Sequence, residues 1–197
     1  NFSYGLAFDK RNSSYQPTSG FYSNWYQQLP VVSENQTIVN GYIITGYKEL
    51  VDDMVISTGI YTRAVNSLSN DDVRVSRRLY VPSSRLRGFE SGKVGPKDGD
   101  DHVGGNYVVT FNTSSTIPYV LQTQENMDLK LFFDAGNVWG VDYSSSLDDS
   151  NTIRSSTGLA LEITTPIGPL SFSFAQVLTK ASTDKTESFK FQLGTTF

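Results

Sequence analysis

Apolar and polar side chains alternate along almost the whole of this chain, and a period of two belongs to strands whose two faces meet different surroundings. The closing stretch shows it plainly. In Phe189-Lys-Phe-Gln-Leu-Gly-Thr-Thr-Phe197, the side chains of Phe189, Phe191, Leu193 and Phe197 share one face, and Lys190, Gln192, Gly194 and Thr196 share the other. No stretch holds a helical period, so the chain is expected to be all β, an antiparallel meander. Strands are predicted over 1–11, 21–29, 36–49, 54–65, 104–117, 127–141, 153–165, 168–179 and 187–197, divided by clusters of Asn, Asp, Ser, Gly and Pro. Many reach the ~9–11 residues that a tilted strand needs to cross a bilayer, whereas strands of soluble domains average ~5–6.

A composition of 38% hydrophobic residues and a mean hydropathy of -0.30 would suit a soluble domain, and no run approaches the ~18 apolar residues of a membrane helix. A membrane barrel escapes that test, because only alternate residues meet lipid while aromatics run high. Twelve Phe and eleven Tyr fit such a wall, and an aromatic at Phe197 suits its rim.

The same composition argues against several chemistries. With no cysteine there are no disulfides, thiolate zinc sites or thiol nucleophiles. A net charge of -4 gives no electrostatic case for nucleic acid. His102 is the single histidine, so a catalytic triad is unsupported and the residue reads as a surface side chain. Asp98, Asp100 and Asp101 lack the ligand spacing of a calcium loop, and the glycines over 92–99 lack the ending of a phosphate-binding loop. No enzyme activity, cofactor or metal is expected. The chain opens in mid-pattern at Asn1-Phe-Ser-Tyr, which reads as a fragment.

The predicted connections differ in size. Those over 13–20, 50–53 and 166–168 are short to moderate, whereas 66–103 and 140–152 are long and rich in Asp and Ser. Outer-membrane barrels have tight periplasmic turns and larger outside loops, and counting back from Phe197 puts both long loops outside. Each strand divides into faces: Leu129, Leu131, Phe133 and Ala135 oppose Asp128, Lys130, Phe132 and Asp134, and Leu159, Leu161 and Ile163 oppose Arg154, Glu162 and Thr164. A soluble sandwich alternates in the same way, so strand length and loop asymmetry carry the membrane reading.

The segment Arg85-Leu-Arg-Gly-Phe-Glu-Ser-Gly-Lys-Val-Gly-Pro-Lys-Asp98, with Leu86-Arg87-Gly88-Phe89 at its heart, resembles the sixth extracellular loop of the BamA family in the Omp85 superfamily. Further blocks follow in family order: Val103-Gly-Gly-Asn106, Phe132-Phe-Asp-Ala-Gly-Asn-Val-Trp139 and Thr165-Pro-Ile-Gly-Pro-Leu-Ser-Phe-Ser-Phe-Ala-Gln176. Upstream, Phe8-Asp-Lys-Arg11 with Pro17 and Gly20 is similar as well. The resemblance implies that 1–197 is the C-terminal portion of a transmembrane β-barrel, about nine of sixteen strands, with the long loop 66–103 folded into the lumen and 187–197 as last strand. It implies that Asp134 is the partner of Arg87, that Gly88 allows a close approach, and that Phe89 wedges against the inner wall. Phe189, Phe191, Leu193, Gly194 and Phe197 become a lateral seam strand. Lys130 and Glu162, set roughly opposite each other by pairing across 140–152, become a luminal pair.

The chain departs from the family pattern in two places. The strand after the loop usually offers a glutamate to the arginine where this chain has Ser114, and Pro82-Ser-Ser84 replaces a Gly-Gly before the motif. The implied function is insertion and folding of β-barrel proteins into the bacterial (Gram-negative) outer membrane, as the barrel part of the BAM complex. Implied partners are unfolded outer-membrane β-barrel proteins, the BAM lipoproteins, outer-membrane lipid, and POTRA domains on the preceding part of the chain. Alternatives are another Omp85 member, such as a TamA-like assembly factor or a two-partner secretion transporter, a passive outer-membrane porin, or a soluble binding sandwich.

Overall fold

The computed structural model describes residues 2–14, 16–31, 36–69, 71–118, 120, 126–144, 147, 152–165 and 168–194. Its strands are β1 (Phe2–Asp9), β2 (Ser19–Leu29), β3 (Thr37–Val51), β4 (Met54–Ser67), β5 (Lys97–Asp98), β6 (Asp101–His102), β7 (Tyr107–Thr116), β8 (Met127–Trp139), β9 (Arg154–Thr165), β10 (Gly168–Thr179) and β11 (Phe189–Leu193). All but β5 and β6 join one nine-stranded antiparallel sheet in the order β1-β2-β3-β4-β7-β8-β9-β10-β11. Among the described residues the sheet is open, with β1 and β11 at its edges. β5 and β6 form a separate two-stranded hairpin inside the long connection between β4 and β7, which also carries a short 3-10 turn, Val75–Arg77. The period-two pattern gave no sign of either.

The β3–β4 hairpin shows how local chemistry fixes register. Val51 pairs with Met54 across a two-residue turn, and Asp53 takes a left-handed φ of 65°. Aspartate tolerates that conformation better than most residues with a side chain. One register then runs from Val51↔Met54 to Thr37↔Ser67, interrupted by a bulge between Glu49 and Val51.

Cross-strand partners divide every strand between two faces. On one lie Leu6, Phe8, Ile60, Phe111, Leu131, Leu159, Phe174 and Phe191, all exposed. This face is bare. The opposite face carries Asp9, Arg63, Asp128, Lys130, Asp134, Arg154, Glu162 and Lys190, and of the charged residues in the nine strands only Lys48, near the turn end of β3, falls on the bare side. A continuous apolar surface of this extent is stable against hydrocarbon, not water. Across the edge pair the rings of Phe172 and Phe191 stand 5.1 Å apart, and those of Phe174 and Phe189 5.0 Å.

The long connection lies over the charged face. Leu79, Val81, Leu86, Phe89 and Val94 of the connection are buried with Val65 of β4, Val108 of β7 and Val138 of β8 in one cluster. This small core sits between the loop and the sheet, so the loop is packed, not solvated.

Two expectations are corrected here. The last strand begins at Phe189 rather than at 187, because Lys185 and Glu187 donate their amides to the long connection, to Lys93 and Gly88, instead of to β10. Phe197 lies outside the described residues. Lys130 stands opposite Ala160, and Glu162 opposite Asp128, so direct opposition of Lys130 and Glu162 is out by two residues. The ion pair nevertheless closes on the diagonal, Nζ to Oε2 at 2.5 Å, since a lysine reaches that far across a ladder.

The division of faces makes a quantitative prediction. Leu131→Arg, on the bare side, should cost about 2–4 kcal/mol in reversible folding into lipid vesicles, whereas Asn24→Arg, on the charged side, should stay within about 0.5 kcal/mol. Equal costs at the two positions would remove the assignment of hydrocarbon to the Phe-rich face.

Candidate functional site

Asp134 lies in the middle of β8, and the alternation of that strand aims it at the loop-covered face, where its side chain is fully buried. A carboxylate in that position is stable only with several donors around it. Arg87 supplies three. Its Nε donates to Oδ2 at 2.7 Å, its Nη2 to Oδ1 at 2.8 Å, and its own backbone N–H to Oδ2 at 3.1 Å. The planar fork fixes orientation as well as distance, and the backbone bond fixes the chain bearing it. The guanidinium carbon also lies 3.6 Å from the ring centroid of Phe132, two residues before Asp134 on the same face.

The neighbours of Arg87 complete the attachment. Leu86 and Phe89 are 2% and 1% exposed, and Phe89 forms an isolated bridge with Thr186, so it wedges between the sheet and the connection that leads into β11. Gly88 adopts a φ of +90°, and a Cβ there would stand 3.1–3.3 Å from the side chains of Ala175, Val177 and Ser156. Its conformation strains any residue with a side chain, and its clearance would require those neighbours to give by a few tenths of an ångström. Ser156 of β9 donates to the Arg87 carbonyl oxygen. Arg85 stacks over the ring of Tyr61 at 4.9 Å.

Position 114 supplies nothing to this fork. Ser114 bonds the hydroxyl of Ser57 at 2.8 Å, and the β7 residue that reaches Asp134 is Asn112, directly opposite it. Asn112 Nδ2 donates 2.8 Å to Asp134 Oδ1 and 2.7 Å to the Arg85 carbonyl oxygen, joining loop and strand. Asn112 belongs to none of the sequence blocks named above; its register against Asp134 was the signal that could have found it.

Two further arginine–aspartate pairs escaped the sequence reading. Arg78 and Asp142 join the long connection to the segment after β8, and Asp142 also accepts the Val73 N–H at 2.9 Å and Asn106 Nδ2 at 3.0 Å. Burial opposes the charge of Asp142, but the bonds from Val73, Asn106 and Arg78 outweigh it and hold the carboxyl below its ordinary range. Arg154 and Asp184 pair at 2.9 Å with side chains 1% and 0% exposed. Neither partner lies near the other in sequence, and Asp184 sits in a polar connection where an acid reads as solvated. His102 corrects an expectation too: it is 7% exposed, its Nε2 lies 3.1 Å from the Thr183 carbonyl oxygen, and burial lowers its pKa.

The seam residues fall where the alternation set them. Phe189, Phe191 and Leu193 point to the bare face, while Lys190 turns inward and donates to the Phe89 carbonyl oxygen at 3.3 Å and to Glu187. Gly194 follows the paired segment, with its N–H on the Pro169 carbonyl oxygen at 3.2 Å. Among the described residues no group of three or more His, Cys, Asp or Glu is placed to hold a metal.

A family model described as the Omp85 superfamily domain matches residues 1–197. The chain is 26% identical over 200 residues to the outer membrane protein assembly factor BamA of Neorickettsia risticii, covering 99% of this chain and 27% of that protein. It is 32% identical over 139 residues to BamA of Neisseria meningitidis serogroup B, covering 57% of this chain and 17% of that protein. In structure it is similar to a crystal structure of BamA from Haemophilus ducreyi lacking POTRA domains 1–3. There the TM-score is 0.86 and the identity 30%, over 96% of this chain and 41% of that one. The chain thus spans 27% and 17% of the length of the two relatives.

The clamp should be costly to break. Arg87→Met and Asp134→Asn should each lower stability by about 3–5 kcal/mol, because each leaves a buried group without its partner; the measurement is urea unfolding of the reconstituted barrel. Exchanging the two residues should recover part of the loss, and wild-type stability in both single variants would show the pair to be incidental. Acid should release the outer end of the loop through Asp142. Its folded pKa is depressed, so its contribution is present above the ordinary aspartate value of ~3.9 and is lost as pH falls through the lower folded value. Hydrogen exchange at the Val73 amide should follow that window, and Asp142→Asn should abolish the dependence.

Proposed function

The chain belongs to the Omp85 superfamily, and from that premise we propose that it forms the C-terminal part of a transmembrane barrel that inserts and folds other β-barrel proteins into the bacterial outer membrane. One observation carries the reading: a sheet whose lipid side bears a single charge, Lys48 near a turn, holds on its water side a loop clamped through Arg87 to the buried Asp134. A passive pore has no need of a plug fixed by a three-donor clamp. The names of the relatives add to this reading, as does the likeness of the sheet to a BamA barrel.

The mechanism needs no nucleotide and no metal. A backbone N–H or C=O without a partner in hydrocarbon costs several kcal/mol, so an incoming strand gains by pairing with any edge that the barrel exposes. Among the described residues the edge strand β11 pairs with β10 over Phe189–Leu193, and Gly194 after it offers no side chain to hold it in place. Its outward rings rest on Phe172 and Phe174 and keep the edge in lipid while pairing is exchanged. On this proposal the clients are unfolded outer-membrane β-barrel proteins. POTRA domains elsewhere in the full protein and lipoproteins of a BAM complex would deliver them, and this part of the chain does no covalent chemistry.

Engineered cysteines joining β11 to the first strand of the full-length barrel test the proposal. Oxidation should abolish client assembly in proteoliposomes and reduction should restore it. Full assembly by the locked, oxidised protein would exclude this edge as the working seam.

A further inference from the structure

We propose that Arg154 and Asp184 are positioning residues for the seam: this second buried fork holds the chain that enters β11 against the long connection, so the strand starts from a fixed point. The inference rests on the reading of β11 as seam strand.

The pair is too thoroughly enclosed to be a surface contact. Asp184 Oδ2 accepts Arg154 Nε at 2.9 Å and the Ala181 N–H at 2.6 Å, and Oδ1 accepts Arg154 Nη2 at 3.2 Å and the Gly95 N–H at 3.1 Å. Arg154 directs Nη1 to Asn137 Oδ1 and to the Thr152 carbonyl oxygen. One carboxylate therefore binds together the start of β9, the long connection at Gly95 and the β10–β11 connection at Ala181.

The backbone immediately downstream shows what the fork positions. Lys185 donates to the Lys93 carbonyl oxygen at 3.0 Å, Glu90 to that of Lys185 at 3.1 Å, and Glu187 to that of Gly88 at 3.1 Å, around the Phe89–Thr186 bridge. Residues 88–93 thus zip against 185–187 as a short antiparallel ladder, and β11 begins two residues later. Upstream of this ladder the Arg87–Asp134 clamp fixes the loop strand, and beside it Arg154–Asp184 fixes its partner. With both forks in place, the ladder has a single register. With Asp184 neutralised, a buried guanidinium loses its counter-charge and the 181–187 segment loses the acceptor that orders it.

Hydrogen exchange in the full-length protein, reconstituted in lipid nanodiscs, tests this. Asp184→Asn should speed exchange roughly tenfold or more in peptides covering 88–93 and 185–193, while 107–116 and 127–135 keep wild-type protection. Arg154→Lys, which keeps the charge but loses the fork, should show the same pattern at smaller amplitude, and it carries the test if Asp184→Asn does not fold. Unchanged exchange throughout, or a uniform rise across the sheet, overturns the proposal, the latter because it marks plain destabilisation. A variant whose β11 loosens while clients assemble at the wild-type rate also overturns the positioning role. If the wild-type protein assembles no client, the functional reading falls by itself, and the exchange pattern still decides the clamp.

Discussion

Hydrocarbon on one side of a sheet forces the charges in its strands, all but Lys48 near a turn, to the other side, and the rest of this structure follows from that segregation. Asp134, Lys130, Glu162, Arg154 and Lys190 share one surface because the period of two leaves no alternative. Crowded there, beneath a packed loop, they must be satisfied by one another or by the loop. Lys130 takes Glu162, Asp134 takes Arg87, Arg154 takes Asp184 and Lys190 takes Glu187.

Buried ion pairs of this kind contribute little net stability relative to apolar packing, since desolvation consumes much of the Coulomb attraction. Their value is geometric. A fork on a carboxylate accepts one orientation, and carboxylates hold the loop between β4 and β7 at three points: Asp142 with Arg78, Asp134 with the Arg87 fork, and the Gly95 N–H on the carboxylate that Arg154 holds. A connection of that length without regular strands of any extent acquires one conformation from three such fixings and a modest apolar cluster. The loop and the last strand become parts of one network, since residues 88–93 bond to 185–187 just before β11 begins.

The edge is held differently. Among the described residues β11 pairs with β10 from Phe189 to Leu193, and a glycine follows whose N–H still bonds the Pro169 carbonyl oxygen but which has no side chain to pack. Rigidity on the loop side and an open edge on the other are compatible because they lie in different hydrogen-bond systems, one in backbone and side-chain bonds to the loop, the other in the ladder with β10.

Strand existence and strand faces were legible from alternation, because side-chain period is a local property that no tertiary contact revises, and strand length with loop asymmetry gave the ring-bearing face to lipid. So was the Arg87–Asp134 pair, once the loop motif was matched to its family. The hairpin at 97–102, the inward role of Asn112 and the burial of His102 were not, since each depends on which distant segment lies opposite. Ser114 and Asn112 share a face, and only register brings Asn112 to Asp134. Arg154 and Asp184 show the limit most clearly: thirty positions separate them, one at a strand's start and one in a polar connection. Sequence determined that charge would gather on a single face; strand register joined Lys130 to Glu162, and only the folded connections decided the partners of Asp134 and Arg154, because a connection brings its partners together through packing that has no period to read.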